Sequence, residues 1–260
     1  MGTPLKNPPV YFTVVQVRFN AILKLADFLP SIQESFRHAG FPDFSSQMVV
    51  ALQVSIQDGN PTPVPVQHER FLFGNAEKTH VFVLDGQMLA LQSTDYGQFE
   101  SFSETFLRGL RTVHEAVQLA YTERVGMRYL DRVIPAVGDT LELYLAAQVH
   151  GLGSRLGGSA LYSYSEALNA VEAVQLRSRV AIQGGGLSFP PDIQPGLMPV
   201  AARFVEYEGL SAILDNDGFV ERREAYSADG IAKHLSTIHE VIGAAFKATA
   251  TPHAFNVWNR

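Results

Sequence analysis

The chain has 260 residues, 46% of them hydrophobic and 18% charged, and its 20 basic and 26 acidic side chains leave a net charge of −6. That length and composition make one large domain or two small ones with a substantial core, and they exclude a disordered chain. The acidic balance disfavours a non-specific nucleic-acid binder, and the absence of cysteine excludes disulfides, cysteine zinc sites and thiol nucleophiles. No apolar run approaches the roughly 20 residues that span a bilayer. The opening Met1 to Val10 lacks the long apolar region of a secretory signal, so the expected setting is cytoplasmic, without a membrane.

Tyr11 to Asn20 reads as a strand apolar on both faces, with Val15, Val17 and Phe19 on one side. Ala26 to Ala39 reads as a helix carrying Phe28, Ile32 and Phe36 and stopped by Gly40. Met48 to Gln57 is a second strand. Asp58 to Gln67 alternates Pro61, Pro63 and Pro65, which a central strand cannot accept, so an exposed loop is expected. A short strand follows at Glu69 to Phe73. The runs His80 to Leu84 and Gln87 to Gln92 flank Asp85-Gly86, a hairpin signal. Ser101 then opens a helix, with Glu104 completing a capping box. The stripe of that helix is Phe102, Phe106, Leu110, Val113, Val117 and Tyr121. Glu123 to Ile134 is the next strand.

Thr140 to Ala146 reads as a strand and His150 to Ser159 as a glycine-rich connection. Val174 to Gln183 alternates, with Leu176, Val180 and Ile182 opposite Arg177 and Arg179. Gly184 to Pro199 is a long loop, rich in glycine and proline, available for protein contacts. Ala201 to Leu214 and Phe219 to Tyr226 read as strands turned at Asp215-Asn216-Asp217-Gly218. Ser227 caps a final helix to Lys247.

Leu110-Arg111-Thr112-Val113-His114-Glu115 matches Leu235-Ser236-Thr237-Ile238-His239-Glu240, and each segment follows an Asp-Gly pair. The expectation is an α+β chain of two related halves, residues 1–135 and 136–260, packed tightly together. Each would hold an antiparallel sheet with a hairpin–helix unit, a pseudo-duplicated variant of the ferredoxin-like, split βαβ arrangement.

Arg124, Arg128 and Arg132 share one face of a strand, and Arg177 and Arg179 share one face of another. Planar guanidinium forks on a sheet face suit phosphate or another anion, unless acids such as Glu123, Asp131 and Glu142 neutralise them. His114 and His239 recur at equivalent helix positions and are the candidates for general acid–base work, with His38 a third. Asp215 to Gly218 lacks the ligand spacing and distal glutamate of a calcium loop, so no metal is expected. His150 to Ser159 and Gly184 to Gly186 lack the lysine and dinucleotide spacings of phosphate loops, and no cofactor is implied.

Asn7-Pro8-Pro9-Val10, the strand end Arg18-Phe19-Asn20 and the stretch from Arg124 to Leu130 resemble a sporadically distributed, uncharacterised bacterial family of about 250 residues, one or two domains in length. That resemblance covers nearly the whole chain, carries over no catalytic residue, and by its distribution suggests a defence or toxin–antitoxin type module. The function expected is a non-enzymatic binding or accessory protein for an anionic or protein partner, including a second copy of itself. The alternative is an RNA-binding or RNA-processing endonuclease. Duplicated ferredoxin-like chains of this size resemble the CRISPR repeat-cleaving enzymes, whose glycine-rich loop only Gly184 to Gly186 would supply.

Overall fold

The computed structural model describes residues 5–57, 60–156 and 161–260. Its elements in chain order are β1 (Val10–Phe19), α1 (Leu25–His38), β2 (Asp43–Gln57), β3 (Asn60–Gly74), β4 (His80–Asp85), β5 (Met88–Ser93), α2 (Phe99–Val117) and β6 (Tyr121–Val133). There follow α3 (Leu141–Tyr144), two 3-10 turns, β7 (Tyr162–Val171), β8 (Val174–Gln183), α4 (Ala202–Val205), β9 (Ser211–Ala225), α5 (Ala228–Thr249) and α6 (Pro252–Trp258).

The two expected sheet-and-helix halves are not found. All nine strands form one open antiparallel sheet, in the order β2-β3-β4-β5-β1-β6-β9-β8-β7. Residues 1–135 and 136–260 share it, because β6 pairs with β1 on one side and with β9 on the other. The hairpin turn expected at Asp215 to Gly218 does not exist either: those residues lie in the middle of β9, and Asp215 and Asn216 are buried. A turn motif persists as strand here because its acids stand beside the arginines of β6 and β8, and charge pairing across strands outweighs local turn preference.

Helices α1, α2 and α5 cover one face of the sheet. Ile32 and Phe36 of α1, Phe102, Phe106, Leu110 and Val113 of α2, and Ile231, Leu235, Ile238 and Ile242 of α5 are buried against strand residues such as Val17, Phe73, Leu89 and Val125. Phe36 stacks on Phe73 at 4.6 Å and tilts against Phe82 at 4.7 Å. Burying each such side chain contributes about 1.5–3 kcal/mol, so this layer dominates the stability of the fold. Glycine at position 218 lets α5 sit close, since a Cβ there would lie 2.8 Å from Ile238 Cγ2. A second core joins Val133, Leu141, Tyr144, Leu214 and Trp258 at the C-terminal end.

Several boundaries differ from the periodic reading. α2 ends at Val117, where Gln118 takes a left-handed φ of 53°, and Tyr121 begins β6 rather than closing the helical stripe. Gln98 is the N-cap of α2, and the Ser101 hydroxyl donates to the Gln98 carbonyl, so no capping box forms. The strand expected at Thr140 to Ala146 is instead the short helix α3, and the strand-like stretch from Ala201 holds α4 before β9 begins at Ser211. β7 and α6 were not anticipated. Residues 58–59 of the proline loop and 157–160 of the glycine-rich connection lie outside the described residues. The prolines themselves fall in β3, paired with β2. Alternate residues of a strand turn their N–H to the same side, so prolines at every second position remove donors along one edge only. Over residues 60–70 β3 has a partner on one edge, because β4 joins it only from Phe71.

Among the described residues no helix is long and apolar enough to cross a membrane.

Candidate functional site

The face of the sheet away from the three helices carries the polar chemistry. β1 sends Val15, Val17 and Phe19 into the helix-side core, so Gln16 and Arg18 face the opposite way. On β6, Val125, Met127 and Tyr129 face the helices, so Arg124, Arg128 and Arg132 share the open face as their spacing predicts. β8 and β9 add Arg177, Arg179, Asp215 and Asp217 to it.

The acids that meet these arginines are not the expected ones. Arg128 makes a bidentate pair with Asp215, Nε to Oδ1 at 2.6 Å and Nη2 to Oδ2 at 2.7 Å. It also holds Asp192 at 2.6 and 3.2 Å. Arg179 Nη1 donates to Asp215 Oδ2 at 2.8 Å. Burial alone lowers the Arg128 guanidinium, but its hydrogen bonds to the two carboxylates prevail and raise it above its ordinary range. The same bonds hold Asp192 below the usual carboxylate range. Arg179, Asp215, Arg128 and Asp192 thus form a charge-balanced chain, which Glu166 extends from Arg179, at 3.7 Å, to Arg177. Glu123 instead pairs with Arg223 at 2.5 Å, and Asp131 faces the helix side.

Arg132 is 2% exposed and anchors the chain that follows β8. It donates to the carbonyls of Gly185 at 2.7 Å, Tyr207 at 3.0 Å and Phe204, and to Ser211 Oγ at 3.1 Å. The long loop after Gly184 lies against its own sheet. Leu187, Phe189, Ile193 and Met198 cover Tyr11, Phe12, Leu130 and Ile213, and the Tyr11 hydroxyl donates to the Ser188 carbonyl at 3.0 Å. This strap brings Asp192 onto Arg128 and covers one end of the open face.

Beside the strap the face remains a groove of about 510 Å3, its wall formed by Pro191 to Gln194 and its floor by β1, β5 and β6. Arg124 lies flat on this floor. A Cβ on Gly126 would come 2.6 Å from Arg124 Nη1, so only glycine there leaves room for the guanidinium. Arg124 donates to Gln16 Oε1 at 3.1 Å, reaches Asp217 at a long 3.4 Å and sits 4.5 Å above the Phe219 ring. Burial raises the Asp217 carboxyl above its ordinary range and lowers the Arg124 guanidinium, with Asp217 opposing the latter. Arg18 stands directly opposite Arg124 in the β1–β6 register, is exposed, and has no carboxylate partner among the described residues. Arg70 enters from β3, 3.6 Å from Asp85.

The structure therefore brings Arg124 and Arg128 together, links Arg179 to them through Asp215 and Arg177 to Arg179 through Glu166, and separates the histidines. Arg177 lies 3.3 Å from Glu166 at the outer strands. His114 stacks on Tyr226 at 3.9 Å, and its buried Nδ1 has no partner among the described residues. His239 stacks on Phe99 at 4.2 Å, and burial lowers it toward the neutral imidazole. Each histidine packs at the start of the other's helix, so the two sit at opposite ends of the α2–α5 contact. His38 is exposed on α1, 2.9 Å from Glu34. Sequence reasoning missed Gln16, Arg18, Arg70 and Asp192. The first two were legible from strand parity alone, whereas Arg70 and Asp192 arrive through strand order and strap placement. Asp215 and Asp217, expected in a turn, are the acids of the site, and among the described residues no cluster of metal-ligating side chains occurs. No protein-family model matches the chain, and no curated protein matches it.

Proposed function

We propose that this protein is a binding protein that holds an anionic group of its partner in the groove of the open sheet face, between Arg18, Arg124 and Arg70. One observation carries this reading. Arg18 and Arg124 stand directly opposite one another, and like charges in that relation destabilise a sheet unless something negative joins them. The one carboxylate that meets Arg124 among the described residues is Asp217, at a long 3.4 Å, and none of them meets Arg18. An anion between them would gain planar, charge-assisted donors and relieve the repulsion. Arg128, Arg132 and Arg179 serve the groove indirectly, by holding the strap and the floor in place.

The test is recovery of the protein under mild conditions from its own cells, with and without Arg18→Glu and Arg124→Glu. The wild type is expected to retain a stoichiometric partner that the double variant loses, and Arg18→Glu alone, at an exposed position, is expected to lose it while its melting temperature stays within a few degrees. Absorbance of nucleic acid that disappears with ribonuclease would identify the anion as RNA. A second polypeptide would identify it as an acidic protein surface. Equal retention by the variant would overturn the reading.

A further inference from the structure

The opposite, helix-covered face holds a second cavity, of about 250 Å3, between the start of β1, the end of β6 and α5. Val10, Ile242 and Phe246 give it apolar walls. Tyr129 forms the centre of a satisfied chain, its hydroxyl 2.6 Å from that of Tyr96 and 3.0 Å from His239 Nδ1. Asp131 is different. It lines the same cavity, is 6% exposed, and makes no hydrogen bond or ion pair to any described residue. Among the described residues that line the cavity none is a lysine or an arginine, and His239 is held toward its neutral form by burial.

A buried carboxylate without a partner costs several kcal/mol unless it takes up a proton, whereas a ligand that brings the missing positive charge removes that cost with the carboxylate ionised. The surrounding aromatic rings favour a cation as well. We infer that the cavity lined by Asp131, Tyr129 and Tyr96 is a binding site for a small organic ammonium, whose N–H groups donate to Asp131 while its apolar body rests on Val10, Ile242 and Phe246. The volume, below the range of most drug-sized sites, restricts the ligand to a compact amine. This site is separate from the arginine groove and stands without it.

Calorimetric titration with benzylammonium, benzyl alcohol and benzoate above neutral pH tests the inference. The wild type is expected to bind benzylammonium saturably, to bind the uncharged alcohol at least about tenfold more weakly, and not to bind benzoate. Asp131→Asn is expected to weaken benzylammonium by about tenfold or more. Gly243→Leu provides the second variant. Gly243 lines the cavity, and a Cβ built on it meets nothing within 4 Å, so the larger side chain fills the space without altering a charge. It also replaces a helix-interior glycine, which favours folding. Binding of benzylammonium should disappear in this variant too. No saturable binding by the wild type, equal binding of alcohol and ammonium, or binding that survives both substitutions would overturn the site.

Discussion

Arg128 and Asp215 are the pair on which the open face depends, because neither charge has water to fall back on: both side chains are buried and bonded in bidentate geometry. Arg128→Ala leaves Asp215 with Arg179 alone, and the expected loss is about 3–5 kcal/mol of unfolding free energy by denaturant titration. Replacing Arg128, Arg179 and Asp215 together by apolar residues of similar size should cost far less, since no unpaired buried charge then remains and Asp192, 61% exposed, is left to water. Gly126→Ala acts on one side chain. It drives the Arg124 guanidinium off the sheet floor, so partner binding should fall by about tenfold to a hundredfold, as for loss of a charge-assisted bond, with little change in stability. Asp131 has the opposite sign from a paired acid. Burial raises its carboxyl to about 7, above its value in the unfolded chain, so the folded state binds the extra proton. The contribution of this group is therefore greatest in acid and declines as pH rises from about 4 to 7, by at most about 4 kcal/mol, opposite in sign to that of the lowered carboxyl of Asp192. Asp131→Asn should remove that slope, and melting curves across this pH range would show it.

At the scale of elements, the strap after β8 is held at several points by Arg132, beside the contacts that Arg128 makes to Asp192 and Tyr11 to Ser188. Arg132 reaches the carbonyls of Gly185, Phe204 and Tyr207, which lie at both ends of the segment. Arg132→Met keeps an apolar stem of similar length and deletes those bonds. The expected result is rapid cleavage between Gly184 and Tyr207 in limited proteolysis while the sheet stays folded by circular dichroism, because local opening precedes global unfolding. Cleavage as slow as in the wild type would show that the apolar contacts of Phe189 and Met198 suffice to seat the strap. Sequence periodicity identified α1, α2 and α5 because their buried stripes recur every three to four residues whatever they pack against. It failed at α3 and α4, which are four residues each and present no period.

For the whole molecule, the β1–β6–β9 centre makes the sheet a single cooperative unit. A fragment of residues 1–135 would leave β6 with a bare edge and Arg124 and Arg128 without Asp217 and Asp215. Such a fragment is expected to lack the dispersed amide spectrum of a folded protein, and mixing it with residues 136–260 should restore that spectrum. A folded 1–135 fragment would show the sheet to be divisible there.

Residue type and spacing were sufficient for an α+β chain, for β1, β8 and the three long helices, and for the shared face of Arg124, Arg128 and Arg132. These are local properties, set by backbone periods of two and 3.6 residues. The order of strands, the fate of Asp215 to Gly218 and the partners of the arginines were not legible. A turn-forming tetrapeptide becomes a buried strand only when neighbours distant in sequence bring the opposite charge, and Arg128 and Asp215 are 87 positions apart. Likewise the cavity around Asp131 exists only because β1, β6 and α5 meet there. Tertiary structure decided both sites, because burial and pairing of charges are set by residues that the chain brings together only when folded.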